Sequence, residues 1–132
     1  LAADVWLLSN ELHDWCVSLL RKPDPRFSSR SEKTFPNYPD ALNVVEVFVE
    51  AYCGDYCLCF DYALDIGPSF RISKQRILEK AKIDPTFLSR EGLFITDLHV
   101  SAAVFIDFES VDSAGRPDGL VGIHFYGAAA TA

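Results

Sequence analysis

Three of the four cysteines of this chain lie within seven positions of one another, in the stretch AYCGDYCLCF over residues 51–60. They are Cys53, Cys57 and Cys59. Thiolates hold structural zinc and carry out disulfide exchange, so this stretch is the first candidate for chemistry. The spacing is C-x3-C-x-C, however, and no second pair of ligands follows at the separation that a tetrahedral zinc site uses.

The secondary structure predicted for this stretch separates the three thiols. Residues 43–53 and 56–65 are rich in β-branched and aromatic residues, and Gly54-Asp55 between them is typical of a two-residue hairpin turn. Side chains alternate between the faces of a hairpin, so Cys53 would point to one face and the other two thiols to the opposite face. Three thiolates on opposite faces cannot reach one ion. We therefore expect structural thiols, no metal and no cofactor.

The same hairpin predicts a surface suited to a protein partner. On the face that carries the second and third cysteines, carboxylates are interleaved with aromatic rings. In protein interfaces aromatic side chains anchor and charges steer, so we expect this face to bind a basic protein. A solvated or helix-covered face would show the same pattern. The partner-binding residues predicted in this way are Glu46, Phe48, Glu50, Tyr52, Asp61 and Asp65.

A carboxylate and an imidazole are also expected to meet near the C-terminus. Apolar residues alternate along 93–110 and 120–126, which predicts a last hairpin around the turn 111–119. In this hairpin Asp107 and His124 share one face. Such a pair can orient a general base, but it is also an ordinary pair on a sheet surface. No G-x-S-x-G elbow, glycine-rich phosphate loop or H-E-x-x-H accompanies it, so we expect no enzymatic activity.

The elements around these candidates have local signals of their own. Residues 4–21 repeat apolar side chains at three- and four-residue spacing, which predicts an amphipathic helix. Residues 22–41 hold four prolines and many polar residues, which predicts a long connecting loop. Residues 73–82 predict a short helix capped by Ser73. The run 93–110 is long for one strand, so we expect a break near Asp97–Ser101.

This order of elements predicts an α+β fold. We expect an N-terminal helix packed on a mainly antiparallel sheet of four to five strands, with a short helix inserted mid-chain. No repeat or boundary divides the chain, so we expect a single domain over residues 1–132 that ends in a small-residue tail at 127–132. The outline is similar to that of cystatin-like and NTF2-like folds.

Charge and hydropathy argue against several classes of function. The chain has 12 Lys and Arg against 19 Asp and Glu, a net charge of −7, whereas direct binding to nucleic acid needs clustered cations. No apolar run approaches the ~20 residues that a membrane-spanning helix needs. The N-terminal segment lacks a basic leader, so we expect a cytoplasmic location with reduced thiols.

Three functions fit these observations. The first is a non-enzymatic protein-binding domain, specifically an immunity or inhibitor protein that neutralises a basic toxin or an enzyme such as a nuclease. The second is a cone-shaped domain that binds a small apolar ligand, with or without catalysis, in a pocket lined by Trp6, Trp15, Tyr56 and Tyr62. The third is an oligomerising structural subunit with the apolar strand 93–110 at its interface.

Overall fold

The computed structural model describes residues 5–21, 29–61, 69–84, 87, 93–108, 110–114 and 117–130. They form seven strands, three α-helices and a closing 3-10 helix. In chain order these are β1 (Val5–Leu7), α1 (Asn10–Arg21), β2 (Arg30–Phe35), α2 (Tyr38–Tyr52), β3 (Tyr56–Asp61), β4 (Phe70–Ser73), α3 (Lys74–Ile83), β5 (Leu93–Thr96), β6 (Ala102–Phe108), β7 (Val121–Gly127) and the 3-10 helix (Ala128–Ala130). Within these ranges, no helix combines the length and the apolarity that a membrane crossing requires.

The seven strands form one antiparallel sheet in the order β1-β4-β3-β5-β6-β7-β2. The first two strands of the chain therefore lie at opposite edges of the sheet. At one edge, β1 pairs with β4, with Val5 opposite Ile72. At the other edge, β2 pairs with β7 over its whole length, from Arg30 opposite Tyr126 to Phe35 opposite Val121.

Alternation along each strand divides the sheet into two faces, which we call the first face and the second face. The first face packs against α2 and α3, and its buried cluster includes Cys57 of β3 and Ile123 of β7. The second face has a smaller buried cluster that includes Phe60 and Phe94, whose stacked ring centroids are 5.8 Å apart. Leu8, just before α1, packs against this second cluster. The fold thus has helices on both faces of one sheet, and the α+β prediction is confirmed.

The predicted strand 43–53 and its hairpin turn at Gly54-Asp55 are wrong, because this part of the chain forms α2. Asn37 caps the helix, since its side chain accepts a hydrogen bond from the backbone N–H of Asp40 at 2.9 Å. Pro39 lies in the first turn, where proline is tolerated. Helical periodicity on a buried face therefore outweighs the strand propensity of a valine-rich segment. The buried residues that follow this periodicity are Ala41, Leu42, Val45, Phe48 and Val49.

The predicted loop over residues 22–41 is wrong in its second half. There β2 occupies Arg30–Phe35 and α2 begins at Tyr38, while residues 22–28 lie outside the described residues. The sequence of β2 is RSEKTF, in which only the last residue is apolar. A polar segment can form a strand at a sheet edge because much of its surface stays in water. Its pairing with β7 makes this segment a strand, and its own sequence has no pattern that predicts one.

Both smaller helices that the sequence predicts are present. The N-terminal helix begins at Asn10 instead of residue 4, because residues 5–7 form β1. Ser9 precedes it and accepts a hydrogen bond from the backbone N–H of Leu12 at 3.2 Å. The mid-chain helix α3 follows Ser73, whose hydroxyl accepts a hydrogen bond from a backbone N–H of the first turn at 3.3 Å, as the cap prediction requires.

The long apolar run near the C-terminus breaks where the sequence predicts it should. β5 ends at Thr96 and β6 begins at Ala102. Between them the Asp97 carboxylate accepts hydrogen bonds from the backbone N–H of Ser101 at 2.7 Å and from that of Ala102 at 3.2 Å, which holds the turn. The last hairpin, β6 with β7, is confirmed as well. The expected count of four to five strands is wrong, since β1, β2 and β4 were not predicted and the described sheet has seven strands.

Candidate functional site

The predicted partner-binding residues do not share one sheet face. Glu46, Phe48, Glu50 and Tyr52 lie on α2, where residues two positions apart point in nearly opposite directions. Phe48 is only 3% exposed and belongs to the buried cluster of the first face. The side chain of Asp61 and the whole of Asp65 lie outside the described residues. A partner role for this set stays a prediction, but the sheet geometry that motivated it is wrong.

The two glutamates of this set form ion pairs within the protein. The Oε2 of Glu46 lies 3.8 Å from the Nζ of Lys82, and the Oε1 of Glu50 lies 3.3 Å from the Nζ of Lys74. Both lysines belong to α3, so the pairs join two helices that pack side by side on the first face. Because all four side chains are partly exposed, each pair contributes at most about 1 kcal/mol. The lysines also offset the negative charge of α2 and so weaken its attraction for a basic partner.

The three clustered thiols lie together, and the prediction that they divide between two faces is wrong. Cys53 follows α2 as its C-cap, and its backbone N–H donates to the carbonyl of Val49 at 3.0 Å. Since α2 lies on the first face, the cap brings Cys53 into the same buried cluster as Cys57 and Cys59. The Sγ of Cys53 also lies 3.7 Å from the carbonyl oxygen of Thr96. All three thiols are buried and free of disulfides.

The surroundings of two of these thiols, Cys53 and Cys59, disfavour the thiolate form. A hydrogen bond with Cys57, and then burial, raise the pKa of Cys53 well above its usual range. Burial, with a smaller contribution from Cys53, raises the pKa of Cys59 in the same direction. In the described ranges no three Cys, His, Asp or Glu side chains are grouped as a metal site requires. The buried thiols therefore act as small apolar side chains of the core.

The predicted pair of Asp107 and His124 is present, and a second carboxylate joins it. The Nε2 of His124 lies 4.0 Å from the Oδ2 of Asp107 and 3.4 Å from the Oε2 of Glu32. Glu32 is directly opposite His124 in the pairing of β2 with β7. It escaped prediction because β2 has no strand signal. A Cβ atom at Gly122 would lie 3.3 Å from the Oε2 of Glu32, so a glycine there leaves room for the second carboxylate.

An apolar groove runs along the same edge of the sheet, on its first face. It lies between α2 and β2 and has a volume of about 320 Å³. Val47 is 67% exposed at this groove. The lining residues of the groove include Lys33, Val44, Val47, Phe48, Ala129 and Ala130. The last two belong to the small-residue tail, in which the sequence pattern had no functional signal.

The pocket expected for an apolar ligand has a counterpart on the second face. Of the four aromatic residues predicted to line it, Trp15 does so, in a pocket of about 360 Å³ between α1 and the sheet. Tyr56 lies beside this pocket, with the guanidinium of Arg71 stacked 5.0 Å from its ring centroid. The side chain of Trp6 and the whole of Tyr62 lie outside the described residues.

Comparison of the chain with protein-family models, with curated proteins and with solved structures found no match. The features of this protein that bear on function are therefore the groove, the carboxylates near it and the pocket under α1.

Proposed function

We propose that this protein is a non-enzymatic binding domain that captures an extended segment of a basic protein along the outer edge of β2. The specific role that we favour is that of a cytoplasmic immunity or inhibitor protein, which neutralises a basic toxin or enzyme by occupying such a segment. The observation that carries the proposal is that β2 separates an apolar groove on one face of the sheet from two exposed carboxylates on the other.

The outer edge of β2 offers backbone groups to an incoming strand. β2 pairs with β7 in an unbroken register of six residues, and no described strand lies on its other side. A regular edge strand presents N–H and C=O groups to any extended chain that aligns with it, and many peptide-binding domains use this mode. Main-chain hydrogen bonds would supply affinity, and the side chains on either face would supply selectivity.

The first face selects for apolar side chains. Successive residues of an added strand point to alternate faces, so every second residue would lie over the groove between α2 and β2. The groove floor includes Val44, Phe48 and Ala129, and the exposed Val47 forms part of its wall. Burial of apolar surface at this position would favour the complex, and the entropy lost on ordering the segment would offset part of this gain.

The second face selects for basic side chains. The remaining residues of the added strand would lie beside Glu32, whose side chain is 54% exposed, and Asp107, 57% exposed, lies two strands further into the sheet on the same face. A Lys or Arg opposite Glu32 would form a charge-assisted hydrogen bond with its carboxylate, and Asp107 would add to the negative potential of this face. The net charge of −7 would also steer a basic partner toward the protein. The preferred segment thus alternates apolar and basic residues.

The test uses a fluorescent peptide in which valine alternates with lysine, and a second peptide with the same residues grouped in two blocks. We expect the alternating peptide to bind more tightly, because the block peptide cannot place both residue types on their proper faces. Glu32→Lys should weaken binding about tenfold, mainly through the association rate, and Val47→Ser should weaken it mainly through dissociation.

Glu79→Lys is the matched control, since it makes the same charge change on the exposed surface of α3. It should leave binding within about twofold of the unmodified protein. Equal affinity for the two peptides, or unaltered binding by Glu32→Lys, would contradict the proposal. Light scattering accompanies the titration, because a dimer formed through β2 would mean that the edge binds a second copy of the chain instead.

A further inference from the structure

We propose that the pocket between α1 and the second face binds a small molecule that has an apolar body and a single carboxylate. This site lies on the opposite face from the groove, and it does not depend on the function proposed above. The inference rests on the apolar lining of the pocket, on one cation in its wall and on a strained turn that presents part of the lining.

The pocket is apolar and accessible. Leu8, Leu12 and Trp15 line it from the side of α1, and Leu58 and Leu98 line it from the sheet and the turn after β5. Its volume of about 360 Å³ is of the size that proteins use for small ligands. Leu12, Trp15 and Leu98 are 37%, 41% and 44% exposed. A ligand that covers them would remove this apolar surface from water.

One cation faces this lining. Arg71 of β4 lies opposite Leu58 in the sheet, and among the described lining residues it is the only charged one. The guanidinium carbon lies over the ring of Tyr56, 5.0 Å from its centroid, which helps to hold the cation at the pocket wall. Arginine carries five N–H donors, so it can hold a carboxylate in addition to the contacts that it makes within the protein. An apolar wall with one arginine favours a carboxylate on an apolar body over a neutral or a cationic ligand.

The turn that supplies Leu98 is strained. Val100 has a φ of 53°, in the left-handed region that a β-branched residue rarely adopts. Asp97 holds this conformation, because its carboxylate accepts hydrogen bonds from the N–H and the hydroxyl of Ser101 at 2.7 Å and 2.6 Å. Strain of this kind concentrates at ligand sites, where the surrounding structure maintains it. Here it positions Leu98 at the mouth of the pocket.

The experiment compares decanoate with two ligands of similar apolar length, decanol and decyltrimethylammonium, by calorimetry and by tryptophan fluorescence. We expect decanoate to bind one molecule per chain, about tenfold more tightly than decanol, with the cationic ligand weakest. Arg71→Gln should bring the affinity for decanoate down to that for decanol and leave decanol binding unchanged. Trp15→Ala should weaken the binding of both ligands.

Arg76→Gln, which removes an exposed cation from α3, is the matched control and should change nothing. Glu32→Lys should also leave decanoate binding intact, because it lies at the other edge of the sheet. Equal affinity for decanoate and decanol, or decanoate binding that survives Arg71→Gln, would overturn the carboxylate assignment. Absence of saturable binding by all three ligands, with light scattering showing a dimer that Trp15→Ala dissociates, would assign the pocket to a second copy of the chain.

Discussion

The two faces of the sheet are covered to very different degrees. On the first face, α2 and α3 complete a cluster of 19 buried residues, in which Val49 of α2 and Ile123 of β7 are fully enclosed. On the second face the described cluster has five buried residues, and the side chains of Leu12 and Trp15 on α1 remain substantially exposed. Among the described residues, the first face therefore buries more apolar side chains than the second, and the second face keeps apolar surface accessible to a ligand.

The helices on the two faces differ in how they pack against the sheet. α2 buries residues along its whole length, which closes the first face except for the groove beside β2. α1 leaves a pocket between itself and the sheet, with Arg71 in its wall. Close packing contributes stability, whereas an unfilled space between a helix and a sheet leaves room for binding. The following variants test whether the two faces divide these roles.

The largest effect is expected from Ile123→Ala. The side chain is fully buried on the first face, so its truncation should lower the free energy of unfolding by about 2–5 kcal/mol through lost burial and a new cavity. Trp15→Ala removes a larger side chain from the second face, yet it should cost less than about 1.5 kcal/mol because so much of the ring is already in water. Urea denaturation measures both losses in the free energy of unfolding. Equal losses would show that the two faces contribute alike to stability.

A pH-dependent effect is expected from Tyr38, which joins α2 to α3 on the first face. Its hydroxyl donates to the carbonyl of Ala81 at 2.7 Å, and burial, together with the negative charge of Asp84, raises the pKa of Tyr38 to about 12. The neutral phenol is therefore favoured in the folded state. Its contribution to stability is fully present below the unfolded pKa of about 10 and is lost as the pH rises toward about 12.

Tyr38→Phe isolates this contribution. The variant should be less stable by about 1 kcal/mol near neutral pH, because the carbonyl of Ala81 loses its hydrogen bond. The difference between the two proteins should shrink between about pH 10 and about pH 12, since only the unmodified protein has a phenol at position 38 to ionise. Denaturation at a series of pH values measures the difference. A constant gap over that interval would show that Tyr38 titrates normally.

The smallest effect is expected from the two helix caps. Ser73→Ala removes the cap of α3, a helix that packs on the first face, and should lower the free energy of unfolding by about 1 kcal/mol. Ser9→Ala removes the corresponding hydrogen bond from α1 and should cost less globally, because the N-terminal part of α1, with Leu12 and Trp15 partly exposed, can fray before the rest of the protein unfolds. Amide exchange should then speed up in α1 alone. Equal global costs would indicate that both helices unfold with the sheet.

Local sequence signals were sufficient for several parts of the fold. α3 was predictable because Ser73 supplies its cap, a feature that does not depend on distant residues. The break at Asp97–Ser101 and the last hairpin were predictable because chain length and strict alternation limit a strand. The pairing of Asp107 with His124 followed from that alternation, and it is the part of the candidate site that the sequence located correctly.

Other parts depended on contacts between distant segments. The segment that forms α2 has residues typical of strands and also an Asn37 cap with helical periodicity, and packing on the first face favours the helix. β2 is polar, so only its pairing with β7 makes it a strand and brings Glu32 beside His124.

The amino-acid sequence by itself determined the α+β class, α3 and the last hairpin, because their signals lie within a few residues of one another. Only the tertiary structure decided that Cys53 joins Cys57 and Cys59 in one core, because that requires α2 to lie on the first face. The groove and the pocket also depend on the tertiary structure, since each forms between elements that are distant in the chain.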